Sequence, residues 1–134
     1  MDTIQQAVII NEKEEILLLQ NKQKQWVLPI DFLGENELYE TSLKEAVKKC
    51  TGLDVDILYQ FFSSITKIDN KEYFNVVYLC RPKDKKVKVS EDYIDFKWVK
   101  LKEIKKLKGV SQLIIEISEK AILLLSGGGD NEEE

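Results

Sequence analysis

One helix-period segment divides this chain into two sets of β-like runs, and that order restricts the fold more than any other feature. From Leu38 to Cys50, the apolar residues Leu43, Ala46, Val47 and Cys50 recur at i, i+3, i+4 and i+7, the spacing of one helical face. Gly52 stands just beyond, where a left-handed C-terminal cap is expected. Before the helix come Ile4 to Ile10 and Ile16 to Leu19, separated by the polar turn Asn11 to Glu15. Trp26-Val27-Leu28-Pro29 follows as an extended segment, because Pro29 disfavours helix at Leu28. Residues 30–36 read as a loop, with Gly34 and Asn36 available for positive φ.

Beyond the helix, Val55 to Ile68 and Tyr73 to Leu79 read as two long strands joined by Asp69-Asn70-Lys71. Lysine-rich residues 83–88 form a solvated connection to a short strand, Phe96 to Val99, and a short helix from Leu101 to Leu107. A last helix, Val110 to Leu125, carries Leu113, Ile114, Ile117, Ala121, Leu124 and Leu125 on a broad apolar face. Strands, helix, strands, helix is the pattern of an α+β domain, a mixed sheet with helices packed on it. The 134 residues suit one such domain, placed at 1–125, with 126–134 as a flexible glycine and acid tail.

The chain contains no histidine, which removes Ser-His and Cys-His relays and histidine-based zinc sites together. Its two cysteines, Cys50 and Cys80, have no metal-type spacing and read as reduced thiols of a cytoplasmic protein. No apolar run approaches the ~18–20 residues that cross a bilayer, and the start lacks the regions of a secretion signal. The net charge of −4 comes from the end of the chain: four of the 24 acids lie in the last five residues, leaving 20 against 20 basic residues elsewhere. A formally neutral body presents no global field for nucleic acid, so none is expected as a partner.

The segment Trp26-Val-Leu-Pro29, followed at a fixed distance by Thr51-Gly52-Leu53, resembles the Nudix (MutT-like) family. That family's box, G-x5-E-x7-R-E-U-x-E-E-x-G-U with U aliphatic, lies on this chain without a gap from Asp31 to Leu53. Glu37, Val47, Gly52 and Leu53 match it, and Phe96-Lys-Trp98-Val99 resembles the strand after the family's second hairpin. The resemblance runs from about Ile4 to Leu125. It implies a Nudix fold, a mixed β-sheet sandwiched between helices, and the hydrolysis of nucleoside diphosphates linked to another group. The departures fall on the chemistry. Asp31 stands at the opening glycine, Glu45 at the arginine, and Ala46, Lys49 and Cys50 at the three helical glutamates.

Those glutamates serve the family as hard oxygen ligands for magnesium on one side of a helix. A methyl, an ammonium and a thiol do not replace them, so no catalytic residue and no metal site is expected. The expectation is a domain that binds a nucleotide-like or phosphorylated small molecule through Lys49, Glu37 and Glu45, with no cofactor. The plain reading of Ala46 and Cys50 is an extended apolar stripe. One alternative is a hydrolase dependent on magnesium or manganese held by relocated acids, Glu37, Glu40 and Glu45, with Glu91, Asp92 or Asp95 available nearby. Another is a ligand-free interaction module, a homodimer through the final helix. Tyr59, Phe61, Phe62, Tyr73, Phe74 and Tyr78 read mostly as core, with one or two left to stack on a ligand. The lysines between Lys97 and Lys108 read as a solvated face.

Overall fold

The computed structural model describes residues 1–126. In chain order the strands are β1 (Asp2–Ile9), β2 (Ile16–Asn21), β3 (Trp26–Val27), β4 (Ile30–Leu33), β5 (Val55–Ile68), β6 (Lys71–Pro82) and β7 (Tyr93–Val99). The helices are α1 (Tyr39–Thr51), α2 (Leu101–Ile104) and α3 (Gln112–Ser126). The strands form two sheets, not a single one. A mixed sheet has the order β4-β1-β6-β5, with β1 and β6 parallel, and an antiparallel sheet has the order β3-β2-β7.

Three strands are apolar on both faces, and they fix the layering. Ala7 and Ile9 of β1, Leu17 and Leu19 of β2, and Val76, Tyr78 and Cys80 of β6 enter one core with Leu43 and Val47 of α1. Their alternates Val8, Ile16, Leu18, Val77 and Leu79 enter a second core with Ile114, Ile117 and Ala121 of α3. Continuous apolar runs of this kind mark strands covered on both sides. α1 and α3 therefore lie on opposite faces of the sheets.

The connections are set by short polar devices. Asn11 Oδ1 accepts from the N–H groups of Lys13 and Glu15, and Asn21 Oδ1 accepts from those of Gln23 and Gln25. Both are Asx-type turns, in which a side chain imitates the backbone. Gly52 caps α1 at φ 78°, its N–H donating to the Lys48 carbonyl at 2.8 Å.

Several boundaries differ from the sequence reading. Residues 30–33 form β4, not loop, because β1 offers a full antiparallel partner from Thr3↔Leu33 to Gln6↔Ile30. Asn36 has the expected positive φ of 64°, whereas Gly34 does not use its freedom. Lys71 belongs to β6, which runs on to Pro82, and β7 starts at Tyr93 because it pairs with Asn21. α2 ends at Ile104, and α3 starts at Gln112 and runs through Ser126, one residue into the stretch that composition assigns to the tail. The other tail residues, 127–134, lie outside the described residues. Ala46 and Cys50 are half-buried, so the α1 stripe is narrower than the spacing suggests. Ser42 and Thr51 are buried beside Leu43 and Val47 instead.

Gly109 and Gly52 both hold positive φ, at 86° and 78°. A Cβ on Gly52 meets nothing closer than 3.5 Å, but on Gly109 it falls 2.7 Å from the Lys24 carbonyl oxygen. Gly52→Ala should therefore cost only left-handed strain, about 1–2 kcal/mol. Gly109→Ala should cost more, because the Trp26 N–H bond to the Gly109 carbonyl must shift too. Urea unfolding of the two variants checks the ranking. Burial also pushes the Cys80 thiol up from 9.0 to about 12. With the folded value raised, the contribution of the neutral thiol holds below pH 9.0 and is lost as pH climbs towards about 12. Denaturation melts across that window should fall less steeply in Cys80→Ala, and Ellman's reagent should titrate Cys50 alone until the chain unfolds.

Candidate functional site

A cleft of about 930 Å³ opens where the two sheets and the two long helices approach one another. Each wall is brought there by a backbone contact distant in sequence. The carbonyls of Cys50 and Thr51, left over at the end of α1, accept from the N–H groups of Ser90 and Lys88 at 3.1 and 2.8 Å. Unsatisfied helix-end carbonyls need such partners. Here they tie the 83–92 connection to α1 and bring Ser90, Asp92 and Tyr93 to the cleft beside Lys49 and Cys50. On the other side, Trp26 N–H donates to the Gly109 carbonyl at 2.8 Å, which carries the start of α3, with Ser111, Leu113 and Ile114, to the cleft wall.

α1 presents Glu45, Ala46, Lys49 and Cys50 to this space. Glu37 reaches it from the loop before the helix, so these five side chains line one cavity together with Asp31 at the opening box position. Glu37 and Glu45 also share a smaller recess next to it. The other candidate acids are dispersed. Glu40 points away and pairs with Lys44 at 3.8 Å. Asp95 accepts from the Phe96 N–H at 2.7 Å, and Glu91 is exposed outside the cleft. Asp92 does line it. Among the described residues, no group of three or more Cys, Asp or Glu side chains is arranged to hold a metal ion.

The loop preceding α1 is fastened by a small polar knot. Asp31 Oδ2 accepts from Ser42 Oγ at 2.7 Å and from Gln5 Nε2 at 2.8 Å, and Gln5 also donates to the Tyr39 carbonyl. Glu37 Oε1 accepts from the Gly34 N–H at 2.7 Å and from Ser42 Oγ at 3.4 Å. A Cβ on Gly34 would stand 2.9 Å from that Glu37 oxygen, so a larger residue there would push the Glu37 carboxylate aside. Glu37 thus holds the loop through a backbone amide and a hydroxyl and does not depend on an arginine at position 45.

At the far end of α1, Cys50 Sγ lies 3.8 Å from Tyr93 Oη. Burial pushes the Cys50 thiol up, and the Tyr93 hydroxyl opposes this only in part. Burial likewise pushes the Tyr93 hydroxyl up, reinforced by its neighbour Cys50. Both groups are therefore neutral near pH 7, so Cys50 offers a thiol and not the thiolate that attacks or binds metals.

None of the six aromatic residues considered for stacking lines the cleft. Phe61 and Tyr78 are buried, Phe62 and Tyr73 half-buried, and Tyr59 and Phe74 face outward at 46% and 40% exposure. The rings that do line it are Phe32, set edge-on to Tyr73 with centroids 5.6 Å apart, and Tyr93. The sequence reading missed both, together with Asp31 and Ser42 as site residues. Alternation within residues 30–33 is the one local signal that could have marked Asp31 and Phe32 for opposite faces. The lysines between Lys97 and Lys108 are all exposed, and Lys105 pairs with Glu119 at 3.0 Å. No helix is long and apolar enough to cross a membrane among the described residues.

The fold and the family model agree. The NUDIX domain model matches residues 5–119. A MutT protein from Methanosarcina mazei superposes with a TM-score of 0.80 at 21% identity, over 90% of this chain and 91% of that one. A NUDIX-family hydrolase from Clostridium perfringens gives 0.81 at 16% identity, over 92% and 97%. An Ap4A hydrolase from C. elegans, solved as a binary complex, gives 0.82 at 17% identity, over 95% and 99%. No protein of curated function matches the sequence. With the family model covering most of its length and the same architecture around the same helix, this chain belongs to the Nudix family.

Proposed function

We propose that the cleft binds a nucleotide-like or otherwise phosphorylated small molecule and does not hydrolyse it efficiently. The observation that carries this reading is the set of side chains α1 turns into the cleft: Glu45, Ala46, Lys49 and Cys50. A divalent ion on a diphosphate needs several hard oxygen ligands in near-octahedral order. At the three helical positions where the family carries glutamate, this helix offers a methyl, an ammonium and a neutral thiol. The residues present do not fit magnesium there, and no step of a reaction is assigned to one.

The same substitutions favour anion binding of another kind. Lys49 enters none of the six ion pairs among the described residues, so its charge is free to meet a ligand. An ammonium acts on phosphate as a mobile point charge and needs no metal to do so. The nearby apolar wall of Phe32, Ile68, Leu113 and Ile114 suits the remainder of such a molecule. The C. elegans relative, an Ap4A hydrolase, supports a nucleotide-linked compound as the ligand class.

The rival reading, a hydrolase using relocated acids, draws on Asp31, Glu37, Glu45 and Asp92 lining one cleft. Asp31 and Glu37 already accept hydrogen bonds that hold the loop, which leaves Glu45 and Asp92 for a cation. Two measurements separate the readings. Phosphate release from nucleoside triphosphates, ADP-ribose and UDP-glucose should stay at background with magnesium or manganese. Thermal shifts with ADP and ADP-ribose should persist in EDTA, and Lys49→Ala should weaken binding about tenfold, the loss of roughly one charge-assisted contact. Turnover abolished by EDTA and by Glu45→Gln would establish the hydrolase. No shift with any compound would leave a ligand-free interaction module.

A further inference from the structure

We infer that the recess between the β1–β2 turn and the end of β6 is a second ligand site, built on Arg81 and Trp98, for a small anion carried on a flat ring. The recess has a volume of about 410 Å³ and shares no lining residue with the Nudix cleft. It lies past the end of β1, beyond Ile9, whereas the cleft touches that strand at Ile4 and Gln6.

Arg81 is the single arginine of the chain. It follows Leu79, the last core residue on its face of β6, so its stem lies against the edge of the core and its head turns into the recess. The side chain is half-buried, yet it enters none of the six ion pairs among the described residues. Asp56 sits directly across the strand pair, but its carboxylate is engaged by Lys83 at 3.5 Å. A partly desolvated guanidinium without an acceptor is costly, and its planar fork of donors matches a carboxylate or phosphate two bonds at a time.

The charged groups around it have mostly found one another. Glu12 pairs with Lys85 at 3.1 Å, and Glu15 accepts from the Asn11 amide at 2.9 Å. Of the charged lining residues, Arg81, Lys13 and Asp84 are left without a side-chain partner among the described residues, and with Glu15, whose partner is a neutral amide, their charges balance, so the pull on an anion comes from the unpaired Arg81 fork and not from a net field. Trp98, half-buried and packed against the core on the α1 side, also borders this space and brings an aromatic ring to its wall. An anion seated in the Arg81 fork, with its ring against Trp98, gives the guanidinium the acceptor it lacks.

Titration of the full chain, labelled with ¹⁵N, tests this directly. The single arginine gives one Nε–H resonance, and the two indole resonances are assigned with Trp98→Phe. Benzoate and AMP serve as carboxylate and phosphate probes, with benzamide and adenosine as uncharged counterparts. The Arg81 and Trp98 signals should move saturably with at least one anion and not with the uncharged pair. The arm that responds identifies the anionic group. Arg81→Gln should weaken that binding about tenfold, and Lys49→Ala should leave it unchanged. Stationary Arg81 and Trp98 signals at millimolar concentrations of both anions would overturn the inference. Equal response to the uncharged compounds, or binding indifferent to Arg81→Gln, would do the same.

Discussion

Burial of β1, β2 and β6 on both faces is the constraint from which the rest of the structure follows. Each successive residue of Ala7–Ile10 and of Ile16–Leu19 enters the opposite core from its neighbour, so a helix must cover each side. Removing either helix would expose one complete face of these strands. That requirement places α1 and α3 across the sheets from each other, and residues from both helices and both sheets line the cleft. Edge strands carry the variation: β5 absorbs register shifts after Ile57 and after Gln60, and β4 ends in the loop that leads into α1.

The character of the cleft is set by backbone satisfaction at least as much as by side chains. Helix α1 ends with free carbonyls, and these capture the segment that carries Asp92 and Tyr93. The loop before α1 is held by Asp31, Ser42, Gln5, Glu37 and the Gly34 amide. A Nudix chain in which residue 45 is glutamate still keeps its loop in place, because the contacts that order it are made elsewhere. The polar groups of this region divide between loop and helix. Asp31 and Glu37 serve the loop, Lys49 brings a cation to the helix, and Cys50 and Tyr93 are neutral.

Much of this was legible in residue order. The α1 stripe, its glycine cap, the two long strands and the covered apolar runs are all properties of spacing within a few residues of one another. So is the identity of the box positions, which local register alone brings together on one helix and its preceding loop. The misplaced features share a cause. β4 contains an aspartate and borders a glycine, and it becomes a strand only because β1 presents unpaired donors and acceptors beside it. Ala46 and Cys50 fit a core stripe by spacing, yet they border the cleft and are only half-buried, and Ser42 and Thr51 are buried instead. Phe32, not the ring-rich hairpin, borders the cleft, because which face of β4 looks inward depends on its partner strand.

The sequence by itself determined the order of elements, the two-sided burial of the central strands, and the absence of carboxylates at three positions of one helix. These depend on chemistry and periodicity, which a linear string carries in full. Only the tertiary structure decided which residues share a cavity with that helix, and that the lone arginine and Trp98 border one recess at the other end of the strands. Those juxtapositions join residues separated by tens of positions through hydrogen bonds and twist that no local pattern encodes.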